Sequence, residues 1–164
     1  MASDRIRTAL RHLVLALAAF SVAGPVLAED AFDACDIFTQ ADAEAALGVT
    51  AAPEPQNPKV RRPKVVLGCT YNGFKDNKPV AASVLFKFGR TEGDTKSAFG
   101  EHRLQVQTKP ILIAEGEAFW SAKTGQMNLR KGRTWLQIAV GVPKPADRDP
   151  EVARKLAELL AKKI

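Results

Sequence analysis

Hydrophobic and polar positions recur along this chain with two periods, and the switches between them mark its elements. Residues 134–142 alternate strictly: Leu136, Ile138 and Val140 fall on one side, and Trp135, Gln137 and Ala139 on the other, which predicts a strand. Pro79–Phe88 alternates in the same way, with Val80, Ala82, Val84 and Phe86 sharing a side. Val65–Tyr71 is rich in β-formers and reads as its antiparallel partner, with the turn expected at Asn72-Gly73. Ile111–Trp120 and Gln126–Arg130 complete the strands, and Lys131-Gly132 predicts a hairpin between the last two.

The helical period appears three times. Thr39 reads as an N-cap with Asp42 in capping-box position, an alanine-rich turn follows, and Gly48 is a natural stop. Residues 95–108 place Phe99, Arg103 and Val106 on one stripe, weakened by Gly100. Asp149-Pro150-Glu151 opens the third helix with an N-cap, a proline at the first position and an acid in the first turn. Its Val152, Leu156, Leu159 and Leu160 predict a core-facing stripe. The order is α-β-β-α-β-β-β-α. This predicts an α+β fold, an antiparallel sheet of about five strands with three helices packed mainly on one face.

Two segments carry neither period. Residues 13–28, LVLALAAFSVAGPVLA, are uncharged and mostly apolar, preceded by Arg5, Arg7 and Arg11. A basic start, a short apolar stretch and a small residue at Ala28 describe a secretory signal peptide over residues 1–28. Gly24-Pro25 interrupts the apolar run, which is too short to span a bilayer well. Residues 29–164 are then one domain, soluble after cleavage, with no transmembrane segment and a periplasmic or extracellular destination. Residues 51–64, AAPEPQNPKVRRPK, hold four prolines and predict a long loop. Lys59, Arg61, Arg62 and Lys64 cluster there and are candidates for an anionic polymer or lipid headgroup. The competing reading is a solvated loop.

Compartment decides how the cysteines are read. Cys35 lies seven residues beyond Ala28, with charged Glu29, Asp30 and Asp33 between, so lipidation at the cleavage site is not expected. His102 is the one histidine that remains after cleavage. One histidine and two cysteines cannot make a four-ligand zinc site or a C-x-x-C redox pair, and no metal or cofactor is expected. In an oxidising compartment the residues predict a Cys35–Cys69 disulfide.

Charge and motifs narrow the function classes. Of 24 basic and 18 acidic residues, residues 1–28 hold three and one, which leaves a mildly basic domain below what a nucleic-acid binder shows. Glu115 and Glu117 could share a strand face, but solvent-facing acids explain them more simply. Ser97 and His102 are misplaced for one helix face, and there is no G-x-S-x-G elbow or glycine-rich phosphate loop. Asp42 and Glu44 read as helix N-terminal charges. Phe119, Trp120 and Trp135 are the candidates for a partner-binding surface, against ordinary core packing.

The motifs C-x-I-F-T-x-x-D-A-x-x-x-L-G from Cys35, G-C-x-Y at 68–71, G-E-A-F-W at 116–120 and L-R-K-G-R-x-W-L-Q-I at 129–138 resemble a group of small bacterial envelope domains of unknown function, many of them actinobacterial lipoproteins. The resemblance implies fold and compartment and assigns no activity. The expected function is therefore a non-catalytic envelope module that binds a protein partner or small ligand, with the basic loop as an alternative contact and an unrecognised enzyme chemistry as a third reading.

Overall fold

The structure is a computed structural model that describes residues 33–54, 66–106 and 108–164. The segment read as a signal peptide lies outside the described residues, as do Lys59, Arg61, Arg62 and Lys64. The fold is α+β, built on one antiparallel sheet of seven strands with four helices: α1 (Ala34–Ile37), α2 (Gln40–Leu47), β1 (Ala51–Pro53), β2 (Val66–Lys75), β3 (Lys78–Phe88), α3 (Glu92–Gln105), β4 (Thr108–Ile111), β5 (Glu117–Ser121), β6 (Gln126–Lys131), β7 (Thr134–Gly141) and α4 (Pro150–Ala161). The sheet order is β1-β2-β3-β7-β6-β5-β4.

The two extra strands and the extra helix have local causes. Residues 111–120 do not form one strand. They divide into β4 and β5, which pair antiparallel with Ile111 opposite Ala118, and Gly116 in the connection has a φ of 102° that other residues rarely adopt. The segment predicted as pure loop opens with β1, a short edge strand that Pro53 can end because its missing N–H is not needed there. The Asp33 side chain accepts from the Cys35 amide and nucleates the single turn of α1.

The β2–β3 turn also sits elsewhere than expected. Asp76 and Asn77, at φ 51° and 59°, make a two-residue connection of the type that asparagine and aspartate tolerate. Asn72 and Gly73 are paired inside the ladder, opposite Ala81 and Val80. Gly73 is small for another reason: a Cβ there would stand 2.7 Å from the Thr50 carbonyl oxygen.

Capping follows the sequence closely. Thr39 and Asp42 form a reciprocal capping box on α2, and Gly48 closes it at φ 70°. Thr91 and Asp94 form a second box on α3, which therefore begins at Glu92, earlier than its apolar stripe suggests. Asp149 caps α4 with Pro150 in the first turn.

The helices divide between the two faces of the sheet. α1, α2 and α4 cover the first face, where Cys69, Tyr71, Val80, Ala82, Val84, Phe86, Met127, Leu129, Leu136, Ile138 and Val140 form the main core. On α4 the buried stripe is Ala153, Leu156, Ala157, Leu160 and Ala161. Leu159, expected in the core, is 38% exposed because the buried stripe is centred between Leu160 and Ala157 and Leu159 falls beyond its edge. α3 covers the second face over β5, β6 and β7 through a separate cluster of Phe99, Phe119 and Trp135.

Cys35 and Cys69 are joined, with Cα atoms 5.3 Å apart, and the bond pins α1 to β2. The residues lie 34 apart in sequence, and closing a loop of that length restricts the unfolded chain by about 4 kcal/mol in the chain-entropy account. Reduction should therefore lower the urea midpoint by an amount equivalent to about 2–4 kcal/mol. Intact-mass analysis after alkylation without reductant should find no free thiol, and two alkylated cysteines in natively recovered protein would contradict the bond.

Candidate functional site

Antiparallel register lines up the side chains of the second face in rows. One row runs Val66, Lys87, Trp135, Arg130 and Glu117 across β2, β3, β7, β6 and β5. The next runs Gly68, Leu85, Gln137, Asn128 and Phe119. The half over β5–β7 lies beneath α3. The half over β2 and β3 has no described element packed on it, and Leu85, on an interior strand, is 38% exposed. Its Cδ2 lies 2.8 Å from where a Cβ on Gly68 would stand, so Leu85 leans over the glycine. Beside it Thr70 donates to the Ser83 hydroxyl at 3.0 Å.

A polar network lies where the two halves meet. Indole nitrogens only donate, so the Trp135 Nε1–H bond of 3.1 Å to Asn128 Oδ1 fixes which end of that amide is oxygen. Gln137 Nε2 donates to the same oxygen at 3.3 Å. Its second hydrogen is then directed at His102 Nε2, also 3.3 Å away, and the imidazole accepts. The chain of donors leaves His102 neutral with its proton on Nδ1. Burial, and secondarily the charge of Lys87, hold the His102 pKa below its ordinary value. The same polarity leaves Asn128 Nδ2 buried with no partner among the described residues.

Aromatic packing fixes the network in place. The His102 ring sits 5.1 Å from Trp135 and 6.1 Å from Phe119, between centroids, and Phe99 packs edge-on to Trp135 at 5.9 Å. The Lys87 ammonium stands 3.9 Å above the Trp135 ring. Burial pushes its pKa down. On the far side of Trp135, Arg130 bonds Glu92 at 3.2 Å and Glu117 at 2.7 Å, which ties the start of α3 to the sheet.

The sequence candidates are dispersed. Phe119 and Trp135 meet under α3, while Trp120 belongs to the main core on the opposite face, and all three are buried. They do not form an exposed surface. Glu115 and Glu117 are not paired with one another: Glu115 accepts from Lys131 and Glu117 from Arg130, and each cation holds its carboxyl below the usual range. Asp42 caps α2 and accepts from Lys163 at 2.6 Å. Glu44 accepts from Gln40 and the Ala51 amide. Among the described residues no group of His, Cys, Asp and Glu could hold a metal, and no helix is long and apolar enough to cross a membrane.

One cleft of about 230 Å³ opens on the other face, between α2 and α4, lined by Ala45, Ala46, Val152, Lys155, Leu156 and Leu159. Its carboxylate, Asp42, is already taken by Thr39 and Lys163, and Lys155 is the one charged side chain of the lining without a hydrogen bond or ion pair among the described residues.

Pattern reasoning missed Lys87, Asn128, Gln137 and His102 as a group. Their only sequence signal was that Asn128, Gln137 and Lys87 occupy the polar side of strands whose other side is core. That pattern also describes solvent-facing residues. A helix folded over that side distinguishes the two cases.

Two measurements check the network. Asn128→Ala removes the acceptor for Trp135 and Gln137 and should cost about 1–3 kcal/mol in urea denaturation, with the Trp135 indole proton resonance moving. For His102 the folded pKa lies below the unfolded value of about 6.5. The unfolded chain therefore takes up the proton first, and stability present above pH 6.5 falls as pH drops through and below it. The difference in urea midpoint between pH 7.5 and pH 5 should be smaller in His102→Gln than in the parent chain, and an equal difference would show that His102 is not shifted.

No family model matches the chain, and neither a curated protein nor a solved structure matches it, so the chemistry of this face is read from its own geometry.

Proposed function

We propose that the chain is an exported, non-catalytic binding module of the bacterial envelope and that it takes a small polar ligand on the open half of its second sheet face. The observation that carries this reading is the position of Leu85. It belongs to an interior strand flanked on both sides, yet its side chain is exposed next to the Thr70–Ser83 hydroxyl pair and at the margin of the Trp135–Asn128–Gln137–His102 network. A surface with two exposed aliphatics, Leu85 and Val66, two hydroxyls and a cation suits a small ligand with polar groups at its edges, more than a protein partner that needs a wide apolar patch.

Export is supported by the Cys35–Cys69 bond, by the basic-then-apolar pattern of residues 1–28 and by the resemblance to envelope domains. The non-catalytic reading is supported by the partners of His102. Among the described residues they are an amide and aromatic rings, with neither a carboxylate to orient it nor a hydroxyl or thiol to activate.

Native mass spectrometry of protein recovered from an expressing envelope should find a bound small molecule. Thr70→Arg and Ser83→Arg each place a long side chain on the open half and should abolish that adduct, while circular dichroism and the melting temperature confirm the fold. An adduct that survives both substitutions would place binding elsewhere and overturn this reading.

A further inference from the structure

We infer that Lys87, stacked on the Trp135 indole beside the His102 imidazole, forms an anion site that receives the carboxylate or phosphate group of a ligand lying on the open half of the sheet. This names the ligand's charge and rests on the binding reading above.

The argument starts from the row of side chains that Lys87 shares. Two cations flank one indole: Lys87 on β3 and Arg130 on β6. Arg130 is neutralised twice, by Glu92 and by Glu117. Lys87 makes no ion pair among the described residues, and burial alone accounts for the lowering of its pKa, with no carboxylate acting against it. Taking an ammonium partly out of water without a counter-charge is unfavourable. The indole face, 3.9 Å away, recovers part of that cost but presents only a quadrupole. The cation is held in place by an aromatic base, and its charge is left over.

A second donor stands nearby. The network directs the His102 proton to Nδ1, which donates to none of the described residues, while Nε2 accepts from Gln137. Lys87 acts electrostatically on His102, and both groups pack on the same indole. An ammonium and an imidazole N–H, both donors and both without an acceptor among the described residues, match an anionic oxygen group. Leu85 and Val66, the exposed apolar residues next to Lys87 on this face, would take the uncharged remainder of such a ligand.

The test uses inorganic phosphate and acetate as probes. The isotopically labelled chain is titrated with each at constant ionic strength, held with sodium chloride so that simple screening is matched. Saturable shifts of the Trp135 indole and His102 imidazole resonances are expected with at least one probe. Phosphate alone identifies a phosphate ester as the ligand group, and acetate identifies a carboxylate. Lys87→Met keeps an unbranched stem over the indole and should weaken binding by roughly thirtyfold or more, while Lys87→Arg should keep it within a few fold. An unshifted Trp120 indole, which lies in the main core on the opposite face, and an unchanged melting temperature in probe-free Lys87→Met confirm the fold.

No saturable shift with either anion would overturn the inference, as would Lys87→Met titrating like the parent chain. An envelope ligand displaced by Thr70→Arg but indifferent to Lys87→Met would overturn it while leaving the binding reading intact. Anion binding without any envelope ligand would uphold this site and remove the other reading.

Discussion

The burial of β7 on both of its faces is the constraint from which the rest of the architecture follows. Leu136, Ile138 and Val140 face the main core, while Trp135 and Gln137 face the other way and are also buried. A strand with one wet face needs helices on one side only. This one needs a second cover, and α3 supplies it. The cover is held at its start by Arg130 bridging to Glu92, at its base by the Thr95 hydroxyl donating to the Arg133 carbonyl, and at its centre by Phe99 on Trp135. Because α3 packs over β5–β7, the same helix that buries half the face leaves the half over β2 and β3 without a described element on it.

Covering a face with polar side chains on it forces those side chains to satisfy one another. Trp135 can only donate, Asn128 must present its oxygen, Gln137 must present its nitrogen, and His102 must accept. Each step follows from the one before. The polarity ends at His102, whose Nδ1 donates to none of the described residues, with the Lys87 ammonium, which has no ion pair among them, over the same indole. The arrangement around Trp135 is therefore a consequence of how the fold disposes of buried amides.

The opposite face is closed by different means. The disulfide holds α1 on β2, and Lys163 donates to the Ile37 carbonyl and to Asp42, which ties the end of α4 to the first two helices. Lys131 reaches the Ala161 carbonyl and Glu115 from the sheet. These contacts join segments distant in sequence, and they make the first face a framework against which the second face can be shaped.

What the sequence determined by itself is local. Capping pairs such as Thr39–Asp42, the proline start of α4, the alternation of β3 and β7 and the pairing of the chain's two cysteines are each decided by residues within a few positions or by simple counting. Strand division at 111–120 and the turn at Asp76-Asn77 were not legible, because one apolar run reads the same whether continuous or folded back, and Asn72-Gly73 is a good turn dipeptide that close packing on Thr50 claimed for another purpose. The candidate site was not legible for a deeper reason. Lys87, Gln137 and Asn128 sit on the polar side of their strands, and a polar residue reads as solvent-facing until something covers it. Only the tertiary structure decides where α3 lies, and so which of those residues are buried, which bond to one another and which are left with a charge or a proton to offer.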